Sequence, residues 1–177
     1  MYIHIMFIHI FVFMSLEQSI SQSKFDSEQE KLMINVIYSA NLLNLITSRL
    51  FKPYELSPQQ YNVLRILRGQ KGESIALMDI EHRMLDKSSN VSRLVDKLIS
   101  KDLINRSISS KDRRRIEIVI TSRGVSVLKE IDVILSEMNS KIKAIISDDN
   151  AKKTNRILDQ LRAVSYTHLT LPTMELV

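Results

Sequence analysis

Two clusters of side chains carry the chemistry in this sequence. The first is Ser88-Ser89-Asn90, followed by Ser92, Arg93, Asp96 and Lys97. Read as the outer face of a short helix, it places small hydroxyl and amide groups at the helix start, where the backbone can come close to a polyanion. Asn and Arg are the side chains that make two hydrogen bonds to one base edge in a major groove. Lys97 and Lys101 lie further along and suit phosphates. The second cluster is Lys111-Asp112-Arg113-Arg114-Arg115, with three consecutive arginines. Crowding them costs repulsion that an anionic partner removes, and an arginine at a loop tip fits a narrow minor groove, where the potential is most negative. Asp112 is the wrong sign for DNA and reads as the brace of the loop, bonded to its amides or to an arginine.

The charge is local. The chain of 177 residues has a formal net charge of +5. Between Ser88 and Arg115, eight basic residues face three acidic ones, an excess equal to that of the whole chain. Such a footprint suits double-stranded DNA. Catalysis finds little support. There is no cysteine, which excludes disulfides, thiolate metal sites and a thiol nucleophile, and fits a reducing cytoplasm. With three glycines in total, a phosphate-cradling loop is hard to build. Apart from His4, His9 and His168 near the two ends, the one histidine is His82, whose neighbours Glu81 and Arg83 make no metal motif. The chain therefore reads as a non-enzyme without metal or cofactor. Met33, Tyr38, Phe51, Tyr54 and Tyr61 are candidates for an apolar effector pocket, or for plain core.

Helices must position these clusters. From Glu28 to Phe51, Leu32, Val36, Ile37, Ala40, Leu43 and Leu50 recur with a 3.6 period, which predicts a long amphipathic helix ending near Pro53. Ser57-Pro58-Gln59-Gln60 is a helix start with a capping box, and Gly69 and Gly72 stop that helix. A short helix is expected at about 76–84, a turn at Leu85-Asp86-Lys87, and a second short helix at about 88–101 with Val91, Leu94, Val95 and Leu98 inward: a helix-turn-helix. Two alternating apolar runs, 103–108 and 116–120, flank the basic loop and predict a β-hairpin, placed where a wing belongs. Thr121 caps a second long helix to about Ile146, and Ser147-Asp148-Asp149 starts a last one, roughly Asn150 to Arg162. The fold class is mainly α with a small β-wing, a winged helix-turn-helix. The long terminal helices have apolar stripes too broad for so small a core, which predicts a homodimer.

Residues 14–163 read as a single domain, with helices at 28–52 and 121–163 for dimerisation and a DNA-binding lobe at 57–120. Residues 1–13 are an apolar stretch too short to span a bilayer and without the basic n-region of a secretory signal; they read as an over-extended start or apolar leader. No stable membrane association is expected. Val164 to Thr173, VSYTHLTLPT, resembles the conceptual translation of a synthetic sequencing adapter, so 164–177 reads as a non-native tail.

From Glu28 to Arg162 the chain resembles the MarR family of regulators. The resemblance is carried by Val91-Ser92-Arg93-Leu94-Val95-Asp96-Lys97-Leu98, by Arg106 at the end of Leu103-Ile104-Asn105-Arg106, by Asp112 and Arg114 on a D-x-R wing motif, and by Ile120-Thr121-Ser122-Arg123-Gly124. It implies interleaved terminal helices in a dimer, two lobes on successive major grooves of a pseudo-palindrome, Arg114 in the minor groove braced by Asp112, and repression relieved by a small aromatic ligand. The alternatives are an architectural protein binding DNA without sequence preference and a module that binds only protein. Two departures matter. Asp102 stands where the family has Gly after the recognition helix. Ala76 stands where a Ser or Thr cap is usual, costing about 1 kcal/mol unless Ser74 takes over.

Overall fold

The computed structural model describes residues 14–108 and 116–168, with side chains for 14–107 and 116–163. The chain divides into two compact units, residues 1–62 and 63–177.

The first unit opens with a helix that the sequence reading did not expect, α1 (Leu16–Ile20). Its capping box explains it. The Ser15 amide donates to Gln18 Oε1 at 3.0 Å, and the Gln18 amide donates to Ser15 Oγ at 3.4 Å. Helix α2 (Glu28–Phe51) has the expected bounds. Ser27 Oγ accepts from the Glu30 amide, Glu28 and Glu30 sit in the first turn and Arg49 in the last, all favourable to the helix dipole. Only Leu50 and Phe51 of α2 are buried; Leu32, Met33, Ile37, Leu42, Leu43 and Leu45 are exposed. A 3₁₀ turn, Lys52–Tyr54, carries Pro53 and ends α2. Helix α3 (Pro58–Arg68) starts with the capping box read from sequence: the Ser57 amide donates to Gln60 Oε1 at 3.0 Å, and the Gln60 amide to Ser57 Oγ at 3.2 Å. Phe51, 2% exposed, stacks on Tyr61 with centroids 4.4 Å apart.

The second unit is a winged helix-turn-helix with two long helices after it. Strand β1 (Ile75–Ala76) leads into α4 (Leu77–Arg83), a turn, and α5 (Val91–Ile99). Strands β2 (Ile104–Ile108) and β3 (Ile116–Ile120) pair antiparallel from Ile104↔Ile120 to Ile108↔Ile116. The sheet has three strands in the order β1-β3-β2, because Ile75 pairs with Ile118 and Ala76 with Glu117; the hairpin alone was expected. Val63, Leu64, Leu67, Ile80, Val95, Leu98, Ile104, Ile118, Leu128 and Ile131 form the fully buried core. Helices α6 (Ser122–Ile145) and α7 (Asp148–His168) follow. In α6 only Gly124, Leu128 and Ile131 are buried. Among the described residues, no helix is long and apolar enough to cross a membrane.

Candidate nucleic-acid interface

The recognition helix is shorter than its pattern suggested. It begins at Val91, not Ser88, because Asn90 is its N-cap: Asn90 Oδ1 accepts from the Arg93 amide at 3.0 Å. Ser88 and Ser89 belong to the turn. Asp86 organises that turn, taking the Ser88 amide at 3.0 Å and the Ser88 hydroxyl at 2.6 Å on Oδ1. An Asp bonded to the amide two residues on is an ordinary turn former, and that spacing was the available signal for it. Lys87 Nζ donates to the His82 carbonyl at 2.5 Å, closing the C-terminal end of α4 where the helix dipole favours a cation.

Helix α5 is strongly two-faced. Val91, Val95 and Leu98 are buried, whereas Ser92, Arg93, Asp96 and Lys97 are exposed. Ser88 and Asn90 are exposed beside them and Ser89 is half-buried, its hydroxyl oxygen buried without a partner among the described residues. The Asn90 cap uses one of the two lone pairs of the amide oxygen and ties that oxygen to the helix end, so a two-bond contact with adenine competes with the cap. Arg113, Arg114, Arg115 and the bracing Asp112 lie outside the described residues. Their flanks do not: the Ile108↔Ile116 pair makes residues 109–115 the connection between β2 and β3.

An ion pair joins helix and hairpin, and two bonds from Thr121 tie the end of the hairpin to the segment after the helix. Arg106 Nη1 on β2 lies 3.2 Å from Asp96 Oδ1 on α5. Thr121 donates its amide to the Leu103 carbonyl at 3.1 Å and its hydroxyl to the Asp102 carbonyl at 2.8 Å, while its Oγ1 caps α6 through the Gly124 amide at 3.0 Å. Gly124 packs so closely that a Cβ would stand 2.3 Å from the Leu103 oxygen. The role of Asp96 as a strut to the hairpin was missed, since its partner is ten residues away in another element.

Both departures from the family pattern have a structural outcome. Asp102 adopts the left-handed conformation, φ +58°. Ala76 stands at the N-cap of α4, where no side chain supplies a cap hydrogen bond; the Ser74 hydroxyl donates instead to Glu117 Oε2 at 2.9 Å.

The five candidates for an effector pocket all fall in the first unit, where Met33 and Tyr38 are exposed and Phe51 is packed on Tyr61. The second unit holds a cleft of 690 Å3 whose lining includes Arg65, Asp132, Asn139, Lys143 and Asn155. Among the described residues no group of acidic or histidine side chains has the arrangement of a metal site.

Comparison with known proteins agrees with this architecture. The model of the MarR family matches residues 56–116. The transcriptional regulator TcaR of Staphylococcus aureus (strain Newman) is 26% identical over 125 residues, which cover 67% of this chain and 81% of TcaR. A MarR transcription factor from Planctomyces limnophilus superposes with a TM-score of 0.59 at 26% identity, over 77% of this chain and 99% of that one. The S. aureus MepR–DNA complex is similar in fold, with a TM-score of 0.66 at 17% identity over 75% and 94% of the two chains.

Proposed function

We propose that this chain, similar in sequence and fold to winged helix-turn-helix regulators of the MarR family, is a sequence-specific transcriptional regulator that binds a pseudo-palindromic operator as a homodimer and is released from it by a small ligand, acting as a repressor. The observation that carries the reading is the outer face of α5, with Arg93 and Lys97 exposed and tied through Asp96 to the strand that leads into Lys111–Arg115. A duplex neutralises both cationic sets at once. In this reading Ser88, Ser89, Asn90, Ser92 and Arg93 meet base edges and adjoining backbone, Lys97 takes phosphate, Arg113 and Arg115 flank the minor groove that Arg114 enters, and Asp112 braces the wing. DNA in the MepR complex supports it by analogy of fold. Exposed apolar residues on α2, and separately on α6 and α7, suit burial against a second copy.

One observation favours a second reading, an architectural binder without sequence preference: the Asn90 oxygen is already engaged. Gel-shift titration with the gene's own upstream DNA against unrelated competitor, at two salt concentrations, separates the two. Specific binding keeps a sequence ratio as salt weakens both. Equal loss to both competitors at both salts would leave only the architectural reading. Absence of any duplex binding would remove both.

A further inference from the structure

Helix α6 serves two tasks. Its first turns are part of the winged-helix core, and the rest runs on without a buried residue: between Asp132 and Ile145 every side chain is exposed or half-buried. Beyond the Thr121 bonds and the exposed Arg123–Asp102 pair, which anchor only its N-terminal turn, the grip on it is apolar: Gly124 against the Leu103 carbonyl, then Leu128 and Ile131, 0% and 1% exposed. These three follow one another at intervals of four and three, so they form a single stripe. Packing along one apolar stripe is non-directional and resists separation more than it resists rolling about the helix axis. Off that stripe, immediately after the last buried residue, stands Asp132. Its carboxylate takes both arms of the Arg68 guanidinium, the last residue of α3: Nη1 to Oδ2 at 2.5 Å and Nη2 to Oδ1 at 3.2 Å. A planar fork of this kind fixes orientation as well as distance.

Resting on the dimeric DNA-binding reading above, we propose that the Arg68–Asp132 pair is a positioning contact: it sets the roll of α6 against the winged-helix lobe, and through it the half-site spacing that a dimer accepts. From Asp132 to Ile145 the helix extends about 20 Å, and at its outer radius of about 5.5 Å a roll of about 20° moves the side chains of that end by about 2 Å. The second copy meets that end, and each protomer repeats the error. The two side chains are 29% and 40% exposed, and pairs so open to water add little to global stability. Their loss should therefore register in geometry rather than in melting.

The test uses the full chain and duplexes that differ only in the spacing between the two half-sites of a bound upstream site. Wild type should show a sharp optimum. Arg68→Gln and Asp132→Asn should each lose about tenfold at that optimum, and much less one base pair to either side, since bivalent gain depends on both sites being reached together. The double variant should be no worse than either single one, and melting temperatures should stay close to wild type. Unchanged optima and steepness in both single variants would overturn the proposal. If either neutral variant does not fold, Arg68→Lys, which keeps the charge and loses the fork, carries the same expectation and the same refutation. A wild-type protein that binds duplexes with no spacing preference defeats the dimeric operator reading itself, and this inference with it. Wild type with a sharp optimum that the variants share defeats the inference alone.

Discussion

Asp102 holds φ at +58° at the end of the recognition helix, a conformation that glycine adopts without cost. Its ion pair with Arg123, at 3.5 Å, is well exposed and contributes little. A side chain in the left-handed region costs about 1–2 kcal/mol, less for Asp than for most. Glycine returns about 0.4–1 kcal/mol to the unfolded chain as entropy. The relief outweighs the loss, so Asp102→Gly should stabilise the protein by about 0.5 kcal/mol, read from the midpoint of urea unfolding at unchanged slope. Gly124 argues the other way. A Cβ there would meet the Leu103 oxygen at 2.3 Å and Ile120 Cγ1 at 2.8 Å, and the first is backbone that cannot step aside. Gly124→Ala should destabilise by about 3 kcal/mol, the upper part of the range for overpacking, in the same urea measurement. Both positions stood out in the sequence, one as a departure from the family pattern and one as a match to it. The roles of Asn90 and Asp96 did not. A residue that suits a helix cap equally suits a base contact, and nothing local says which partner takes it.

At the scale of elements, legibility followed length. Helices α2 and α6 span 24 residues each, enough turns for a 3.6-residue period to declare itself. The hairpin strands alternate over five residues and were equally plain. Strand β1 has two residues and α1 five, too few for any period, and each depends on a partner or a cap instead. Helix α1 is held by one such partner. The Glu17 carboxylate meets Lys31 Nζ of α2 at 2.5 Å, and this bond, with help from its own backbone and from Ser15, lowers its pKa from an ordinary 4.5 to about 2. The Lys31 ammonium is raised in return, chiefly by the same bond to Glu17. A carboxyl lowered on folding contributes its full share above its unfolded value and loses it as pH falls towards the folded one. Protection of the α1 amides against hydrogen exchange, corrected for intrinsic rates, should hold from neutrality down to about pH 4.5 and fall between there and about pH 2. Lys31→Met should remove that pH step and lower protection at neutrality. An α1 equally protected in that variant would show that the pair does not hold it.

Across the whole molecule, the number of phosphates neutralised separates a dimer from a monomer on DNA. Ile37 on α2 is 58% exposed, so replacing it with glutamate leaves a folded single copy undisturbed and places a charge in any apolar contact with a second one. If two copies associate there, the wild-type melting temperature rises with protein concentration, and Ile37→Glu should lower it and remove that dependence. The same substitution should change how binding responds to salt. In the proposed interface each protomer presents Arg93, Lys97, Arg113, Arg114 and Arg115 to the duplex. With all five on phosphate in both copies, log K falls against log salt with a slope of at most about −9, and with one copy bound at most about −4.5. The absolute slope depends on how many of the five meet phosphate rather than base edges, but the ratio of two does not. Ile37→Glu should therefore bind more weakly and with half the wild-type salt slope, measured by fluorescence anisotropy on one labelled duplex. An unchanged slope at reduced affinity would mean that α2 contributes to folding or docking but not to pairing two DNA-binding lobes.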